Sequence, residues 1–361
     1  MRRDKADAYR NLVEPEALIH LFLRYPPDSF TCAFDSAGVP VFHTDFDLLT
    51  TLESKLRSRL SRVPLYSLWS RALRYATCFV GTTVTEYAPF PASLAPEILL
   101  DTLLLEHGKK PSLTILKDLP RASPLVSAEE NKFADRLAYA ARKRGFIEVL
   151  GQALAYVPID FTCEEEYLHR LSPARRKDIR RKMKMRKTLT VDVLRLGDKR
   201  FSEPALLAEL YAMYREVFNQ SEIRFDRLSP EFFTALLQSR ETDGVVLCYR
   251  HGQTLAGYNI CLIHKDRFID KYIGFKYPLA RQLNLYFISW MANLAFAREN
   301  SLTMYIAGWT DPEVKASLGA EFTFTRHLVR VKNPVLRSIL FPLRHFFESD
   351  AQAVSAAGGR P

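Results

Sequence analysis

The order of strands and helices after residue 189 constrains the fold of this chain more than any other feature. Apolar periodicity and turn residues predict, in sequence, a strand, two helices, a meander of three strands, a helix and two further strands. The predicted ranges are 189–196, 204–219, 230–240, 245–249, 254–263, 268–275, 285–299, 302–307 and 321–331. This order is neither the strict βαβ alternation of a doubly wound fold nor an all-β pattern. We therefore predict an α+β fold whose mixed sheet is antiparallel in the meander and parallel at the late crossover.

The first half of the sequence also alternates strands with helices, which suggests a distant internal repeat. Its predicted elements are a hairpin at 29–42, a helix at 48–60, a strand at 75–87, a helix at 97–107, a strand at 113–116, a helix at 128–144 and a strand at 146–158. A chain of 361 residues is long enough for two ordinary domains. We predict domains at 1–158 and 159–333. An amphipathic helix, packed on the second domain or on a membrane surface, and a disordered tail follow at 334–361.

The sequence disfavours membrane-spanning, secreted and metal-binding classes of protein. No uncharged apolar stretch reaches the roughly 18–20 residues that cross a bilayer. The first ten residues carry charges of both signs and lead into no apolar segment, so a secretion signal is not expected. The five cysteines are scattered, and no Cys/His pair has the spacing of metal ligands. We therefore predict a cytoplasmic protein with reduced thiols and without a metal site.

Residues 175–187 carry most of the net charge. The chain has a formal charge of +10, of which this segment contributes +8 from nine basic residues and one aspartate. It lies in a predicted helix over 163–187 that is interrupted near Ser172-Pro173. Such a run is either a solvated helix face or a site for an anionic partner, namely the acceptor arm of tRNA, an acyl carrier protein or lipid head groups. No interleaved aromatic residues are present, so sequence-specific DNA binding is not expected. The cations assigned to the anionic partner are Arg176, Arg180, Arg181 and Lys184.

Several short motifs follow one another between residues 167 and 319. They are YLxxLS at 167–172 followed by Arg176 and IRR at 179–181, PEFF at 230–233, DKYIG at 270–274, and Gly308 followed by KxxLG at 315–319. In order and spacing they resemble the GNAT acyltransferase superfamily, and more narrowly its tandem-GNAT branch, which includes the FemAB-like peptidoglycan aminoacyltransferases. The resemblance covers residues 160–333, and over 1–160 it rests on element order. The pyrophosphate loop R/QxxGxG/A is absent from 275–284, as it is from FemAB-like members.

The resemblance implies two tandem GNAT-like domains, each a mixed, mostly antiparallel sheet flanked by helices, with the first domain degenerate. It implies an N-acyltransferase that moves an acyl group from a thioester, acyl-CoA or an acyl carrier protein, to an amine on a small molecule or peptide. No cofactor would be bound permanently. One alternative is a FemAB-type transferase that uses aminoacyl-tRNA. Another is a non-catalytic protein that binds anions or membranes.

In a GNAT site, two strands part and a helix begins beside the donor's phosphates, where backbone dipoles stabilise negative charge. Here the strands would be 268–275 and 302–307. The residues assigned to donor binding are Gly274, Lys276, Arg281, Asn284 and Leu285. The alternative is that Asn284 is only an N-cap and that the two cations are solvated loop charges.

A general base is expected near the central strand. Asp270 and Tyr272 would share one face of that strand because side chains alternate, and an aspartate among apolar residues is costly unless it is paired. We therefore assign catalysis to Asp270 and Tyr272. His264, at a turn, is a weaker candidate for the base.

Three further residues are assigned to substrate binding. They are Tyr305, Lys315 and Gly319. Tyr305 would donate a proton, Lys315 would contact a carboxylate or phosphate, and Gly319 would allow a close backbone approach. There is no GxSxG motif, so direct attack by the amine is the simpler mechanism.

Overall fold

The computed structural model describes residues 8–51, 59, 62–64, 66, 70–108, 110–221 and 224–343. It divides into two compact units. The first comprises the described parts of 1–153, 222–228 and 323–353, and the second those of 154–221 and 229–322.

The strands and helices are as follows. The strands are β1 (Tyr9–Arg10), β2 (Thr31–Phe34), β3 (Pro40–Asp47), β4 (Arg74–Val80), β5 (Phe90–Pro91), β6 (Leu113–Arg121), β7 (Ile147–Pro158), β8 (Thr190–Arg195), β9 (Gly244–His251), β10 (Thr254–His264), β11 (Arg267–Phe275), β12 (Met304–Gly308) and β13 (Glu321–Val331). The helices are α1 (Ala17–Arg24), α2 (Pro96–His107), α3 (Ala128–Lys143), α4 (Glu164–His169), α5 (Pro173–Met183), α6 (Pro204–Gln220), α7 (Pro230–Leu237), α8 (Leu279–Gln282), α9 (Leu285–Glu299), α10 (Pro312–Ser317) and α11 (Pro334–Leu343).

The first unit contains a mixed sheet in the order β2-β3-β4-β6-β13. Its pairs are antiparallel except for β4 and β6, which run parallel. Helices α2 and α3 pack on each other, and their apolar faces cover one side of the sheet. A capping box starts α3, because Ser127 accepts from the backbone N–H of Glu130 while the Glu130 carboxylate accepts from that of Ser127. The unit is an α+β layer structure with its core between helices and sheet.

The second unit contains a mixed sheet in the order β7-β12-β11-β10-β9-β8. Only β11 and β12 pair in parallel, and the meander β9-β10-β11 is antiparallel throughout. Tyr258 of β10 donates to the carbonyl of Leu210 in α6 and lies against the ring of Phe233 in α7. Helix α9 packs on the other face, where Asn293 reaches Asp270 of β11. The predicted α+β class, with mixed, mostly antiparallel sheets, is confirmed.

The division into units differs from the predicted domains, because residues 154–158 belong to the second unit, and the described parts of 222–228 and 323–333 belong to the first. Residues 224–228 belong to the first unit because Phe225 packs among the rings of Phe30, Phe42 and Phe79. Most of β13 also belongs there because it pairs with β6. Both assignments depend on contacts between residues far apart in sequence.

Some predicted elements in the first half have other bounds. The strand predicted at 75–87 ends at Val80, because Gly81 has φ 120° and a hydrogen bond between the hydroxyls of Thr82 and Thr85 closes a turn. The strand predicted at 113–116 extends to Arg121. Of the helix predicted at 48–60, residues 48–51 form a single 3₁₀ turn, and 52–58 and 60 lie outside the described residues.

The C-terminal helix is described over Pro334–Leu343, and the rest of the predicted helix and tail, 344–361, lies outside the described residues. Within the described part of the chain, no helix has both the length and the apolar character that a membrane span needs.

Candidate active site

Strands β11 and β12 part at Asp270. Only the first three residues of β11, 267–269, pair with β12, at 304–306. Strand β10 by contrast accompanies β11 to its last residue, Phe275. Over the described length of both strands, the pairing of β11 with β12 therefore stops just before Asp270, and the predicted parting of these strands is confirmed.

A bulge at Lys271 decides which way the side chains of β11 point. Cys261 of β10 faces Asp270, whereas the preceding Ile260 faces Tyr272, so Lys271 is an extra residue in β11. Neighbouring residues of β10 point to opposite faces, and their partners do the same. The prediction that Asp270 and Tyr272 share a face is therefore wrong.

The two faces have different surroundings. The Tyr272 ring lies on the α6–α7 face, with its centroid 6.4 Å from the ring centroids of both Tyr214 and Phe232. Asp270 lies on the α9 face. A joint role of Asp270 and Tyr272 in one proton transfer has no geometric support.

Three amide or hydroxyl side chains from three elements donate hydrogen bonds to the carboxylate of Asp270, and the Cys261 thiol of β10 adds a weaker one, with Sγ 3.7 Å from Oδ1. Asn259 Nδ2 of β10 lies 3.0 and 2.9 Å from its two oxygens, and Asn293 Nδ2 of α9 lies 2.8 Å from Oδ2. The Tyr305 hydroxyl of β12 donates to Oδ2 over 3.1 Å and lies 3.1 Å from Asn293 Nδ2. This network holds the carboxylate where the two strands separate.

Burial and hydrogen bonding act in opposite directions on the pKa of Asp270. Loss of hydration raises this pKa, while the hydrogen bonds from Asn259 and Tyr305 and the charge of Lys315 lower it, and the result is a pKa of about 6. Burial holds the pKa of the Tyr305 hydroxyl well above its usual value, so Tyr305 stays protonated as a donor. A carboxylate that titrates near pH 6 suits general-base catalysis near neutrality.

Sequence reasoning missed Asn259 and Asn293, although the sign that pointed to Asp270 applies to them too. Asn259 stands in the apolar strand segment GYNICLI, and Asn293 stands in the apolar helix α9. Both side chains are buried. A polar side chain inside an apolar element needs a hydrogen-bond partner, and here that partner is Asp270.

Residues 173–324 match the family model of the acetyltransferase (GNAT) domain. The match contains the meander, the parting strands and Asp270 with its three donors. This chain carries a GNAT domain. The GNAT domain makes the protein an acyltransferase, and no curated protein matches the sequence.

Solved structures resemble the chain along nearly its whole length. L-PGS from Bacillus licheniformis has a TM-score of 0.53 and 11% identity, covering 92% of this chain and 97% of that one. The C-terminal domain of an Agrobacterium fabrum protein described as a lysylphosphatidylglycerol synthetase has a TM-score of 0.52 and 10% identity, covering 90% and 89%. FemX has a TM-score of 0.48 and 10% identity, covering 91% and 97%. At these identities the likeness concerns the fold alone.

Helix α9 of the GNAT domain begins without a side-chain cap. Asn284 occupies the N-cap position with a left-handed φ of 52°, and its side chain makes no capping hydrogen bond. Leu285 is fully buried. Lys276 is exposed, while Arg281 donates to Gln220 Oε1 over 2.6 Å.

Two predicted ligand-binding glycines of the GNAT domain are in close packing. A Cβ on Gly274 would stand 2.1 Å from the ring of Tyr258, and a Cβ on Gly319 would stand 2.6 Å from Leu171 Cδ2. Gly319 also has φ 90°, which disfavours any side chain. Packing alone accounts for both glycines, and their roles in ligand binding stay predictions.

Lys315 of the GNAT domain stabilises the end of β12. Its ammonium is buried and donates to the carbonyl oxygens of Ala307 and Gly308 over 2.7 and 3.0 Å. These two residues end the strand that parts from β11. Lys315 therefore acts on the site by holding β12 and by its charge, which lowers the pKa of Asp270. The predicted contact with a substrate carboxylate or phosphate stays a prediction.

The basic segment 175–187 is not one continuous helix. Helix α5 ends at Met183, and a 3₁₀ turn covers Lys184–Thr188. Arg180 pairs with Glu165, and Arg181 pairs with Asp178 over 2.7 Å. Ile179 is buried and anchors the segment. Of the four cations assigned to a partner, Arg176 and Lys184 lie outside these ion pairs.

Proposed function

We propose that the protein is an N-acyltransferase that moves an acyl group from a thioester, acyl-CoA or an acyl carrier protein, to an amine by direct attack. The observation that carries the proposal is the position of Asp270, which is partly buried, held by three donors and placed where β11 and β12 part. The GNAT domain provides the acyltransferase class, and Asp270 provides the base that such a reaction needs.

In the proposed reaction the amine nitrogen attacks the thioester carbonyl carbon. A C–N bond forms, the C–S bond breaks, and the donor leaves as a thiol. Asp270 accepts the proton that the attacking nitrogen loses, and this proton passes to the sulfur. Backbone dipoles at the parted strands stabilise the negative charge on the carbonyl oxygen. A separate nucleophile is not needed, and burial raises the pKa of the neighbouring Cys261 thiol so that it stays protonated.

The test is the release of free thiol from a panel of acyl-CoAs in the presence of a panel of amines. Replacing Asp270→Asn keeps the shape of the side chain and removes the base, so we expect turnover to fall about 10²–10⁴-fold. In the unaltered protein, turnover rises as the pH increases through about 6, because Asp270 acts as a base only when it is ionised. Turnover that is unchanged in Asp270→Asn would refute the assignment.

Asp243→Asn is the matched control. Asp243 is exposed and pairs with Arg195 over 3.4 Å at the start of the meander, away from the parting strands. We expect it to leave turnover unchanged. Thermal unfolding of both variants separates a lost base from a lost fold.

The second candidate donor is an aminoacyl-tRNA, and it agrees with two observations. The sequence lacks the pyrophosphate loop typical of CoA binding, and it concentrates its cations at 175–187. One of the similar structures is described as the C-terminal domain of a lysylphosphatidylglycerol synthetase. Nuclease-sensitive RNA that co-purifies with the protein, together with no thiol release, would favour this donor.

We also propose a cytoplasmic location. All five cysteines are free, which agrees with a reducing compartment. We further propose that α11 can contact a membrane surface. Its exposed side chains include the apolar residues Val335 and Phe341.

A further inference from the structure

The first unit holds a cluster of histidine, cysteine and carboxylate side chains that acyl transfer does not use. His43 of β3 and Cys78 of β4 are directly paired across the sheet, so their side chains lie side by side on one face. His107, the last residue of α2, lies over this pair with its ring centroid 5.8 Å from that of His43. One ligand atom from each of these three residues lies within 4.8 Å of the others.

Asp35 contributes a carboxylate to the same place. Its Oδ1 accepts from the backbone N–H groups of Ala37 and Val39 over 2.9 and 2.7 Å, which forms the turn between β2 and β3. Its Oδ2 points the other way and lies 4.0 Å from His107 Nε2. The exposed Glu106 also places an oxygen 3.9 Å from His107 Nε2.

Two buried atoms of this cluster lack a hydrogen bond. Among the residues that the structure describes, neither Asp35 Oδ2 nor His107 Nε2 has a hydrogen-bond partner. The side chain of Asp35 is wholly buried, and that of His107 is 10% exposed. A buried polar atom without a partner has lost its hydrogen bonds to water without replacing them, which destabilises the folded state. The two atoms border the same small space. This indicates that a polar group or an ion binds between them.

We propose that His43, Cys78, His107 and Asp35 bind a divalent cation of the zinc type. Two nitrogens, one sulfur and one carboxylate oxygen make a four-ligand set that Zn²⁺ favours. Ligand atoms about 2.0–2.3 Å from a tetrahedral ion lie roughly 3.3–3.8 Å apart. The ligand atoms of His43, Cys78 and His107 lie within 4.8 Å of one another, and Asp35 Oδ2 lies 4.0 Å from His107 Nε2, so these side chains would move inward around a bound ion.

The local charges also suit a cation. The carboxylates of Asp35 and Glu106 place oxygens 4.0 and 3.9 Å from His107 Nε2 and supply negative charge beside the site. The C-terminal end of α2 adds partial negative charge beside His107.

An ion can reach this position from solvent. His43 is exposed, and it lines a surface pocket of about 440 Å³ together with residues of β3 and β4. A bound ion would join the β2–β3 turn, two neighbouring strands and the end of α2. With four protein ligands the site is of the structural kind, and it is independent of the acyl-transfer chemistry.

The experiment measures metal in the full-length protein. We expect about one zinc per chain after purification in zinc-containing medium, or after addition of Zn²⁺ to chelator-treated protein, with a rise in Tm on binding. Replacing zinc with Co²⁺ should give the absorption of a cobalt–thiolate bond, which reports on Cys78 directly. Failure of the intact chain to bind either ion would overturn the proposal.

Variants distinguish this cluster from adventitious binding. His43→Gln changes an exposed side chain, so it should fold normally and weaken zinc binding by on the order of 100-fold or more. Cys78→Ser should remove the cobalt–thiolate absorption. The matched controls are His20→Gln, an exposed histidine of α1, and Cys248→Ser, a buried thiol of β9, and neither should change metal binding. Equal zinc affinity in His43→Gln and His20→Gln would refute the site.

Discussion

Asp270 illustrates how opposing effects on a single residue set its pKa. Its carboxylate receives hydrogen bonds from Asn259, Asn293 and Tyr305, each of which stabilises the ionised form. Burial opposes them and wins, since the pKa of Asp270 rises from 3.8 to about 6. The group is therefore ionised at neutral pH but still basic enough to accept a proton. Removing one of these donors should therefore raise the pKa of Asp270 by a measurable amount.

We expect Tyr305→Phe to shift the acidic limb of the pH–rate profile to higher pH. The substitution removes one donor from the Asp270 carboxylate, and a hydrogen bond to a charged group is worth about 1.5–3 kcal/mol, so the shift is on the order of one pH unit. The control is Tyr258→Phe, the same change on the opposite face of the sheet, where the hydroxyl donates to Leu210. A Tyr305→Phe profile that coincides with the Tyr258→Phe profile would contradict this account of the pKa.

At the scale of elements, the course of β11 is decided by its two neighbours. Strand β10 pairs with it to Phe275, whereas β12 leaves after Ile269. The bulge at Lys271 turns Asp270 toward α9 and Tyr272 toward α6 and α7. Beyond the bulge, β11 continues against β10 through the close contact of Gly274 with Tyr258. The second half of the strand therefore depends on a glycine.

Gly274→Ala tests this contact. The added Cβ would stand 2.1 Å from the Tyr258 ring, and overpacking of this kind costs about 1–3 kcal/mol or more. Gly252→Ala, at the β9–β10 turn, has no atom within 4 Å of the added Cβ and carries only the cost of its φ of 58°. Urea unfolding should show the larger loss of stability for Gly274→Ala. Equal losses in the two variants would mean that the contact with Tyr258 is not what requires glycine.

At the scale of the whole molecule, charge is distributed unevenly. Of a net charge of +10, residues 175–187 contribute +8. Two of their arginines are paired with carboxylates, and exposed pairs of this kind contribute little to stability. The segment therefore remains strongly positive, which supports the proposal of an anionic partner.

Neutralising Arg176, Arg180, Arg181 and Lys184 to Gln should weaken binding of tRNA or acyl carrier protein and flatten its dependence on salt. Each phosphate contact that is lost lowers the slope of log K against log salt by about 0.7–0.9. The control neutralises four exposed cations elsewhere, namely Lys132, Arg136, Arg195 and Lys199, and leaves the same net charge. If both sets weaken binding equally, the effect belongs to total charge and the segment has no special role.

The sequence by itself determined the elements whose signals are local. Helix α9 and strand β13 occupy exactly the predicted residues 285–299 and 321–331, and the meander differs from its prediction by a few residues at the ends. Apolar periodicity and turn residues reside within one segment, so they can be recognised without knowing its neighbours. Asp270 was found in the same way, as a charge in an apolar strand.

Tertiary structure decided the features that arise from contacts between segments far apart in the sequence. The bulge at Lys271 arises from the register of β10 against β11, and it reversed the predicted direction of Tyr272. The pairing of His43 with Cys78 beneath His107 joins residues that show no ligand spacing along the chain. The physical reason is that register and packing depend on which strands and helices meet, and periodicity within one segment carries no information about its partner.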